Sequence, residues 1–244
     1  MHGGRADARA WADAARAMAG QTGNEVALFP PYPWLDLVIE AVGGPEAPVV
    51  VGGQACHPEP SGAFTGAVAA SMLAELGCRA VLCGHSERRH VFGETDAFVA
   101  GSLAAALEAG LVPVLCVGEK EDEREAGQTE AVVARQLDAG LAALRSGQDP
   151  LIVAYEPVWA IGTGKAATPK EAAEAHAFIR ARIAEQDPER AATVRILYGG
   201  SVKPSNIAGF LAVPDVDGAL VGGAALDPET FAPIACAKAG AADA

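Results

Sequence analysis

One carboxylate in this chain stands between an apolar run and a glycine-rich loop. Residues 151–155 read Leu-Ile-Val-Ala-Tyr, Glu156 follows at once, and the segment 157–165 continues Pro-Val-Trp-Ala-Ile-Gly-Thr-Gly-Lys. A carboxylate at the end of a strand, beside a loop that can close over it, is suited to act as a general base away from water. The alternative is an ordinary loop with a solvated glutamate, although loops on a rigid scaffold often carry functional residues.

A histidine follows another apolar run, residues 80–84. The segment 85–89 reads His-Ser-Glu-Arg-Arg, and we expect Ser86 to cap the next helix, with His85 at its positive end. Because a helix N-terminus disfavours an imidazolium, His85 would be a neutral hydrogen-bond donor. The alternative is a structural histidine with a backbone partner.

The apolar run at 112–117 offers less chemistry. It is followed by Gly118-Glu119-Lys120, which we interpret as a charged turn. Cys116, inside the run, is interpreted as a core residue rather than a nucleophile, because no base is evident beside it.

Two glycine pairs follow the last two apolar runs. Tyr-Gly-Gly-Ser spans 198–201, and Gly222-Gly223 follows the run 218–221. Glycines let the backbone approach a ligand closely, and in parallel barrels these positions commonly bind a phosphate. The alternative is a pair of tight turns without a ligand. A carboxylate base, a neutral histidine and a phosphate cradle, without a metal or cofactor motif, predict proton abstraction next to a carbonyl on a small phosphorylated sugar.

The composition limits the class of protein. The chain has 244 residues, 50% of them hydrophobic and 20% charged, which suits one domain with a large core. No apolar run reaches about 18 residues, and the start lacks the pattern of a signal peptide. A net charge of −13 argues against nucleic acid and anionic membranes as partners. The five cysteines have no CxxC spacing, so we expect reduced thiols in a cytoplasmic protein and no metal site.

Helical and strand-like segments alternate along the whole chain. The predicted helices cover 6–19, 33–42, 66–76, 96–109, 129–144, 169–185, 203–211 and 228–237. The predicted strands are short and rich in Val, Leu and Ile, and they cover 25–29, 48–52, 80–84, 112–117, 151–155, 194–197 and 218–221. Such alternation predicts βαβ units and a parallel sheet in a single α/β domain.

The opening helix indicates which parallel fold this is. No strand-like run precedes it, and the chain is close to the usual length of a (β/α)8 barrel, about 250 residues. We therefore predict a TIM barrel that lacks its first β-strand. The alternative is an open doubly wound sheet. The absence of a Gly-x-Gly-x-x-Gly motif after the first strand argues against it.

Four motifs carry a resemblance to a known family. They are the segments 84–89, 155–165, 198–202 and 221–223, and together they resemble those of the triosephosphate isomerase family. The resemblance runs from residue 1 to about 238, as one barrel domain, and leaves 239–244 as a short tail. It implies an isomerase of glycolysis and gluconeogenesis that interconverts dihydroxyacetone phosphate and D-glyceraldehyde 3-phosphate through an enediolate, without a cofactor.

The resemblance also implies a role for each site residue. Glu156 shuttles the proton between C1 and C2, His85 polarises the carbonyl, and Glu87 is a further acid near the site. The phosphate is held by backbone N–H groups of Gly162, Ser201, Gly222 and Gly223. Residues 157–167 form a lid that keeps water away from the enediolate. The family is homodimeric, and residues 54–66 resemble the loop that inserts into the partner subunit.

Two departures from the family pattern stand out. Family members begin with a strand that ends Asn-x-Lys-Met, whereas this chain begins at the residues that would follow that lysine. We therefore expect the first strand and the catalytic lysine to be missing, as in a chain whose start is assigned too late. Neither Lys120 nor Lys165 stands at the vacant position. Ala67 replaces the usual glutamate after Phe-Thr-Gly, which removes a contact of the dimer or of the loop.

Two other functions remain open. A truncated, non-catalytic barrel would bind phosphate compounds or have no function, although the retained base, histidine and lid favour the isomerase. A barrel that isomerises another phosphosugar fits the glycine pairs but fits the lid less well. An upstream strand that ends Asn-Trp-Lys would decide for the triose phosphate enzyme.

Overall fold

Short strands and longer helices alternate in the computed structural model, which describes residues 2–162 and 165–238. The strands are β1 (Ala27–Leu28), β2 (Val50–Gly53), β3 (Ala80–Cys83), β4 (Val112–Val117), β5 (Ile152–Tyr155), β6 (Arg195–Tyr198) and β7 (Gly218–Ala219). The helices are α1 (Arg5–Thr22), α2 (Leu35–Val42), α3 (Ala70–Leu76), α4 (Ser86–His90), α5 (Asp96–Glu108), α6 (Glu121–Glu125), α7 (Thr129–Leu141), α8 (Pro169–Gln186), α9 (Pro188–Thr193), α10 (Ile207–Leu211) and α11 (Pro228–Ala235). Short 3-10 helices cover Tyr32–Trp34, Val158–Ala160 and Gly223–Leu226. The expected tail, 239–244, lies outside the described residues.

The sheet runs in chain order, from β1 to β7, and every neighbouring pair is parallel. The register pairs Leu82 of β3 with Val114 of β4, for example. A doubly wound sheet reverses its strand order at a central switch point, so the sequential order rules out that alternative and confirms the TIM-barrel class. Within the part of the chain that the structure describes, the sheet has these seven strands, and β1 and β7 are its end strands.

Both faces of the strands are buried, because neighbouring side chains on a strand point to opposite sides. Val81 and Val153 belong to the main core, which the helices cover. A separate buried cluster consists of Leu82, Val114, Cys116 and Ala154. Burial on both faces explains why the predicted strands are apolar throughout rather than alternating.

Local hydrogen bonds delay the start of two predicted helices. The carboxamide of Asn206 accepts the N–H of Lys203 at 2.7 Å and donates to the carbonyl of Ser201 at 3.0 Å, so 203–206 forms a turn and α10 begins at Ile207. The segment before α3 is drawn into a bridge between His57 and Ala69. The predicted boundaries at 203 and 66 are therefore wrong by about one turn of helix.

Two short helices were not expected from the sequence. In α9 the carboxylate of Asp187 caps the first turn by accepting the N–H of Arg190 at 3.0 Å. The other, α6, begins directly after Lys120, where we predicted only a turn. Along residues 2–162 and 165–238, none of the helices is both long and apolar enough to cross a membrane.

Candidate active site

Glu156 and His85 come together at the carboxyl ends of β5 and β3. Glu156 follows β5 directly, and its backbone N–H donates to the carbonyl oxygen of Val117 at the end of β4 (2.8 Å). Nε2 of His85 lies 2.9 Å from Oε1 of Glu156, whose side chain is only 2% exposed. The structure thus joins the two residues that the sequence marked as base and electrophile. The alternative of a solvated glutamate is wrong.

The backbone beside His85 fixes which ring nitrogen carries a proton. Nδ1 accepts the N–H of Glu87 at 3.3 Å, so His85 itself caps α4. The expected cap, Ser86, is instead the first residue of the helix, because the chain enters α4 one residue earlier than predicted. With Nδ1 as the acceptor, a neutral imidazole has its proton on Nε2 and donates to Glu156.

Opposing effects act on the protonation of His85. Burial lowers the pKa of His85, whereas the hydrogen bond and charge of Glu156, with the charge of Glu87, raise it; the net pKa is raised from its ordinary value. The side chain of Glu87 is exposed, and it acts on the ring through its charge. The Glu156 carboxylate is therefore the main group that favours the imidazolium, whereas burial favours the neutral imidazole that the sequence led us to expect.

Backbone groups and glycines hold the Glu156 carboxylate in place. The N–H of Ser86 donates to Oε2 at 2.9 Å, and the Ser86 hydroxyl lies 3.5 Å from Oε1. A Cβ at Gly118 would lie 1.8 Å from the carbonyl oxygen of Glu156, and a Cβ at Gly199 would lie 2.8 Å from its Cγ. Both positions therefore require glycine. Sequence reasoning missed the role of Gly118, which shows only when β4 and β5 lie side by side.

Arg89 joins the ends of β3 and β4 beside the site. Its guanidinium donates to the carbonyl oxygens of Gly84 (2.8 Å) and Cys116 (3.1 Å) and pairs with Asp96 (2.7 Å). Gly84 has a φ of +75°, and a Cβ there would lie 2.8 Å from Nη2 of the arginine. Arg89 thereby ties the loop that carries His85 to the neighbouring strand.

The segment interpreted as a charged turn contains a fully buried carboxylate. Glu119 is 0% exposed. It accepts hydrogen bonds from the hydroxyl of Tyr155 (3.1 Å), the indole of Trp159 (2.9 Å) and the guanidinium of Arg124 (3.3 Å). The interpretation of this segment as a charged surface turn is therefore wrong. Glu119 can be buried because hydrogen-bond donors from other segments offset the cost of burying its charge.

The same hydrogen-bond network reaches both ends of residues 157–167, the segment that the resemblance implies is a lid. Trp159 lies near the start of the lid, and the Arg124 guanidinium stacks over its ring at 4.4 Å. Arg124 also pairs with Glu171 at 2.5 Å, and Glu171 accepts the N–H of Thr168, just beyond the lid, at 2.7 Å. One arginine thus connects the two ends of the lid.

The loops expected to hold phosphate follow adjacent strands. The N–H of Gly199 donates to the carbonyl of Tyr155 (2.7 Å), which joins the end of β5 to that of β6. The N–H of Leu220 donates to the carbonyl of Tyr198 (2.9 Å), which joins β6 to β7. The lid and the two glycine pairs therefore begin at the same edge of the sheet.

Exposed backbone marks the expected phosphate residues. Gly162, Gly222 and Gly223 are exposed, and Ser201 is half-buried. A Cβ built at any of these three glycines would meet nothing within 4 Å. Residues 163–164 of the expected lid lie outside the described part of the chain. The glycines beyond β7 thus face open space, whereas Gly118 and Gly199 face Glu156.

Comparison with known proteins decides the family. The triosephosphate isomerase family model matches residues 1–238. The chain belongs to the triosephosphate isomerase family. It is 50% identical over 242 residues to the triosephosphate isomerase of Symbiobacterium thermophilum (98% of this chain, 94% of the relative). Identity is 51% over 235 residues to that of Moorella thermoacetica (96% and 94%) and 51% over 236 residues to that of Dechloromonas aromatica (95% and 92%). The family match gives no support to the expected truncation.

Cys116 is a core thiol in this member of the triosephosphate isomerase family, as the sequence led us to expect. It is 0% exposed, and burial raises the pKa of Cys116 well above its ordinary value, with the charge of Glu156 adding to the effect. The sequence showed no base beside it, whereas the structure places Glu156 there. The carboxylate keeps the thiol protonated, so its presence does not make a nucleophile. All five cysteines are free thiols.

The loop at 54–66 presents an aromatic side chain to solvent. Phe64 is 44% exposed, and its ring packs on that of His57 at a centroid distance of 4.0 Å. Ala67, which stands where the triosephosphate isomerase family usually has glutamate, donates its N–H to the carbonyl of Phe64 at 2.9 Å. The backbone alone therefore closes this end of the loop.

Proposed function

We propose that this chain interconverts dihydroxyacetone phosphate and D-glyceraldehyde 3-phosphate through an enediolate. The observation that carries the proposal is the buried contact between Glu156 and His85, 2.9 Å apart at the carboxyl ends of the strands. The relatives at about half identity carry the name of the same enzyme. The retained pair and lid favour this function over a non-catalytic barrel.

Glu156 is the base in this proposal. Its carboxylate must leave the N–H of Ser86 and the imidazole of His85 before it can reach a substrate carbon. It then takes a proton from C1 of dihydroxyacetone phosphate and returns it to C2, and it runs the same transfer in reverse for the aldehyde. Because its side chain is almost fully buried, the base exchanges its proton with substrate faster than with water.

His85 is the electrophile. Its Nε2–H donates to Glu156 in this structure and donates to the substrate oxygens once the carboxylate turns to carbon. Departure of the Glu156 charge removes the main effect that raises the pKa of His85, while burial continues to lower it. The imidazole is then a neutral donor that can move protons between O1 and O2. Glu87 is the further acidic residue near the site, and its negative charge raises the pKa of the His85 ring.

The phosphate is held by N–H groups of Gly162, Ser201, Gly222 and Gly223 in this proposal. Their exposure and the open space beside the glycines support it. Glycines there let a phosphate dianion approach the backbone directly, in a chain whose net charge of −13 would otherwise repel it. Closure of the lid over the phosphate keeps water from the enediolate, which would otherwise eliminate phosphate.

A homodimer in the cytoplasm is the expected working form. Val91 and Phe92 are 74% and 66% exposed, and Phe64 in the loop 54–66 is 44% exposed. Adjacent exposed apolar side chains, such as those of Val91 and Phe92, mark protein interaction sites more often than single ones do. A second copy of the chain is the partner that the family resemblance implies.

Lys120 pairs with Asp122 at 3.3 Å, and Lys165 pairs with Glu121, so both lysines bind carboxylates of α6. In this proposal neither lysine offsets the charge of the enediolate.

A two-by-two comparison tests the proposal. The chain as written and a version extended by a strand that ends Asn-Trp-Lys are each prepared with Glu156 and with Glu156→Gln. Isomerisation, exchange of the C1 hydrogen with solvent, and thermal unfolding are measured, with the exposed Glu75→Gln as control. We expect isomerisation in the extended version, and we expect Glu156→Gln to lower its turnover by about 10²–10⁴-fold.

Each outcome bears on a different statement. Near-native turnover of the extended Glu156→Gln variant would show that another residue is the base. Equal turnover of the two lengths would show that the added strand is not required for isomerisation. Absence of isomerisation in both lengths would overturn the proposed function in favour of the non-catalytic barrel.

A further inference from the structure

Trp11 connects the first helix to the loop that follows the last strand. Its indole N–H donates to the carbonyl oxygen of Leu226 at 2.9 Å, across 215 positions of sequence. Leu226 is the last residue of the 3-10 helix Gly223–Leu226, which follows Gly222 directly. The bond therefore holds the far end of the short segment that begins with the two exposed glycines.

The helix that carries Trp11 is packed against the core. Ala8, Ala12 and Ala15 of α1 are at most 1% exposed, so the helix is closely packed along one face. The N-terminal segment lies directly against the indole, since a Cβ at Gly3 would come within 2.2 Å of Cη2 of Trp11. The ring thus lies against Gly3, while its N–H is bound by the segment after β7.

The glycine end of the same segment has few contacts of its own. The N–H of Ala225 donates to the carbonyl of Gly222 at 2.9 Å, but a Cβ at Gly222 or Gly223 would meet nothing within 4 Å. At the other end, Asp227 caps α11, and its carboxylate accepts the N–H of Glu229 at 3.2 Å. The glycine peptides therefore lie between two anchored points, Leu220, whose N–H is bound by Tyr198, and Leu226, whose carbonyl is bound by Trp11.

We propose that Trp11 is a positioning residue for phosphate binding: by fixing the Leu226 carbonyl, it orients the peptide N–H groups of Gly222 and Gly223. This inference rests on the proposed function, in which those groups hold the substrate phosphate. It adds a residue from the first helix that touches neither the substrate nor the reacting atoms. Preorganised peptides bind an anion without the cost of ordering them on binding.

The test compares two variants with the same chemical change. Trp11→Phe keeps an aromatic ring against Gly3 but removes the N–H donor. Trp34→Phe makes the same replacement in the 3-10 helix Tyr32–Trp34, after β1. Inorganic phosphate is titrated into each protein while the backbone amides of Gly222 and Gly223 are followed by NMR, and hydrogen exchange of residues 222–226 is measured without phosphate.

We expect the Kd for phosphate to rise about two- to tenfold in Trp11→Phe, the change that the loss of one hydrogen bond produces. Exchange of the 222–226 amides should become faster in that variant, and thermal unfolding should stay close to that of Trp34→Phe. In the extended version the KM for triose phosphate should rise by the same factor with turnover nearly unchanged, because binding is weakened before and during the reaction alike.

The possible results separate this inference from the proposed function. If the amides of Gly222 and Gly223 fail to respond to phosphate in the unaltered protein, the cradle itself is wrong and Trp11 has nothing to position. If they respond and Trp11→Phe binds phosphate as tightly as the unaltered protein, only the role of Trp11 is refuted. An equal loss of affinity in Trp34→Phe would also refute it, because the effect would then be general destabilisation.

Discussion

Replacing the buried carboxylate of Glu119 by an amide should destabilise the protein measurably. Glu119 is 0% exposed and accepts hydrogen bonds from three donors, on Tyr155, Trp159 and Arg124. In Glu119→Gln the amide oxygen can take the place of Oε1, and the NH2 group can donate to the hydroxyl of Tyr155, which accepts as well as donates. The hydrogen bonds from Trp159 and Arg124 are then made to a neutral oxygen instead of a charged one.

The size of the effect follows from what Arg124 retains. Breaking a buried ion pair costs about 3–5 kcal/mol when the remaining charge has no other partner. Arg124 keeps Glu171 at 2.5 Å, so its charge stays paired. Because a hydrogen bond to a charged group contributes about 1 kcal/mol more than one to a neutral group, weakening the bonds from Trp159 and Arg124 should cost about 1–3 kcal/mol. In a chain of this length that corresponds to a fall in Tm of roughly 2 to 12 °C.

Thermal unfolding followed by circular dichroism at one fixed protein concentration measures this fall. Glu121→Gln is the matched control, since Glu121 begins α6 nearby but is 47% exposed and pairs with Lys165 at the surface. An exposed pair contributes at most about 1 kcal/mol, so the control should melt close to the unaltered protein. If Glu119→Gln melted as high as Glu121→Gln, the network would not depend on the carboxylate charge, and our account of its burial would be wrong.

Three further predictions concern individual side chains. His85→Gln in the extended version should lower turnover and leave substrate affinity nearly unchanged. NMR titration of the unaltered protein with ligand bound tests the neutral role of His85. Protons on both ring nitrogens at pH 7 would contradict that role. Gly222→Val should weaken inorganic phosphate and substrate alike without unfolding the chain, because a Cβ there meets nothing within 4 Å; Gly20→Val, at a similarly open position, should bind phosphate normally. Burial lowers the pKa of His176, so the unfolded state binds more protons below about pH 6.5, and the free energy of unfolding should fall as the pH drops through that value. His176→Asn, which keeps an N–H for the carbonyl of Asp215 (2.9 Å in the unaltered protein), should remove that part of the pH dependence in chemical denaturation, and an identical pH profile would refute the assignment.

Local patterns predicted the order of elements and the identity of the central pair. The strand at 112–117 was predicted with the bounds that the structure shows for β4, because a strand buried on both faces is a continuous apolar run in the sequence. Glu156 and His85 were found because each follows such a run directly, and parallel strands place their carboxyl ends at one edge of the sheet. Neither inference required knowledge of long-range contacts.

Helix starts and the cap of α4 were less predictable. The start of α10 at Ile207 depends on the carboxamide of Asn206, which bonds two backbone groups and holds the preceding residues in a turn. Ser86 fits the composition of a cap, yet His85 fills that position. Several polar side chains near the start of a helix can cap it, and the path of the chain after β3 decides which of them does so.

The sequence by itself determined the alternation of strands and helices, and it placed Glu156 and His85 at strand ends. Only the tertiary structure decided that Glu119 is buried and that Gly118 lies against Glu156. It also decided that the indole of Trp11 reaches Leu226. Those contacts join residues up to 215 positions apart. The physical reason is that hydrophobic period and capping are short-range properties, whereas the cost of burying a charge depends on donors that assemble only when the strands pair side by side.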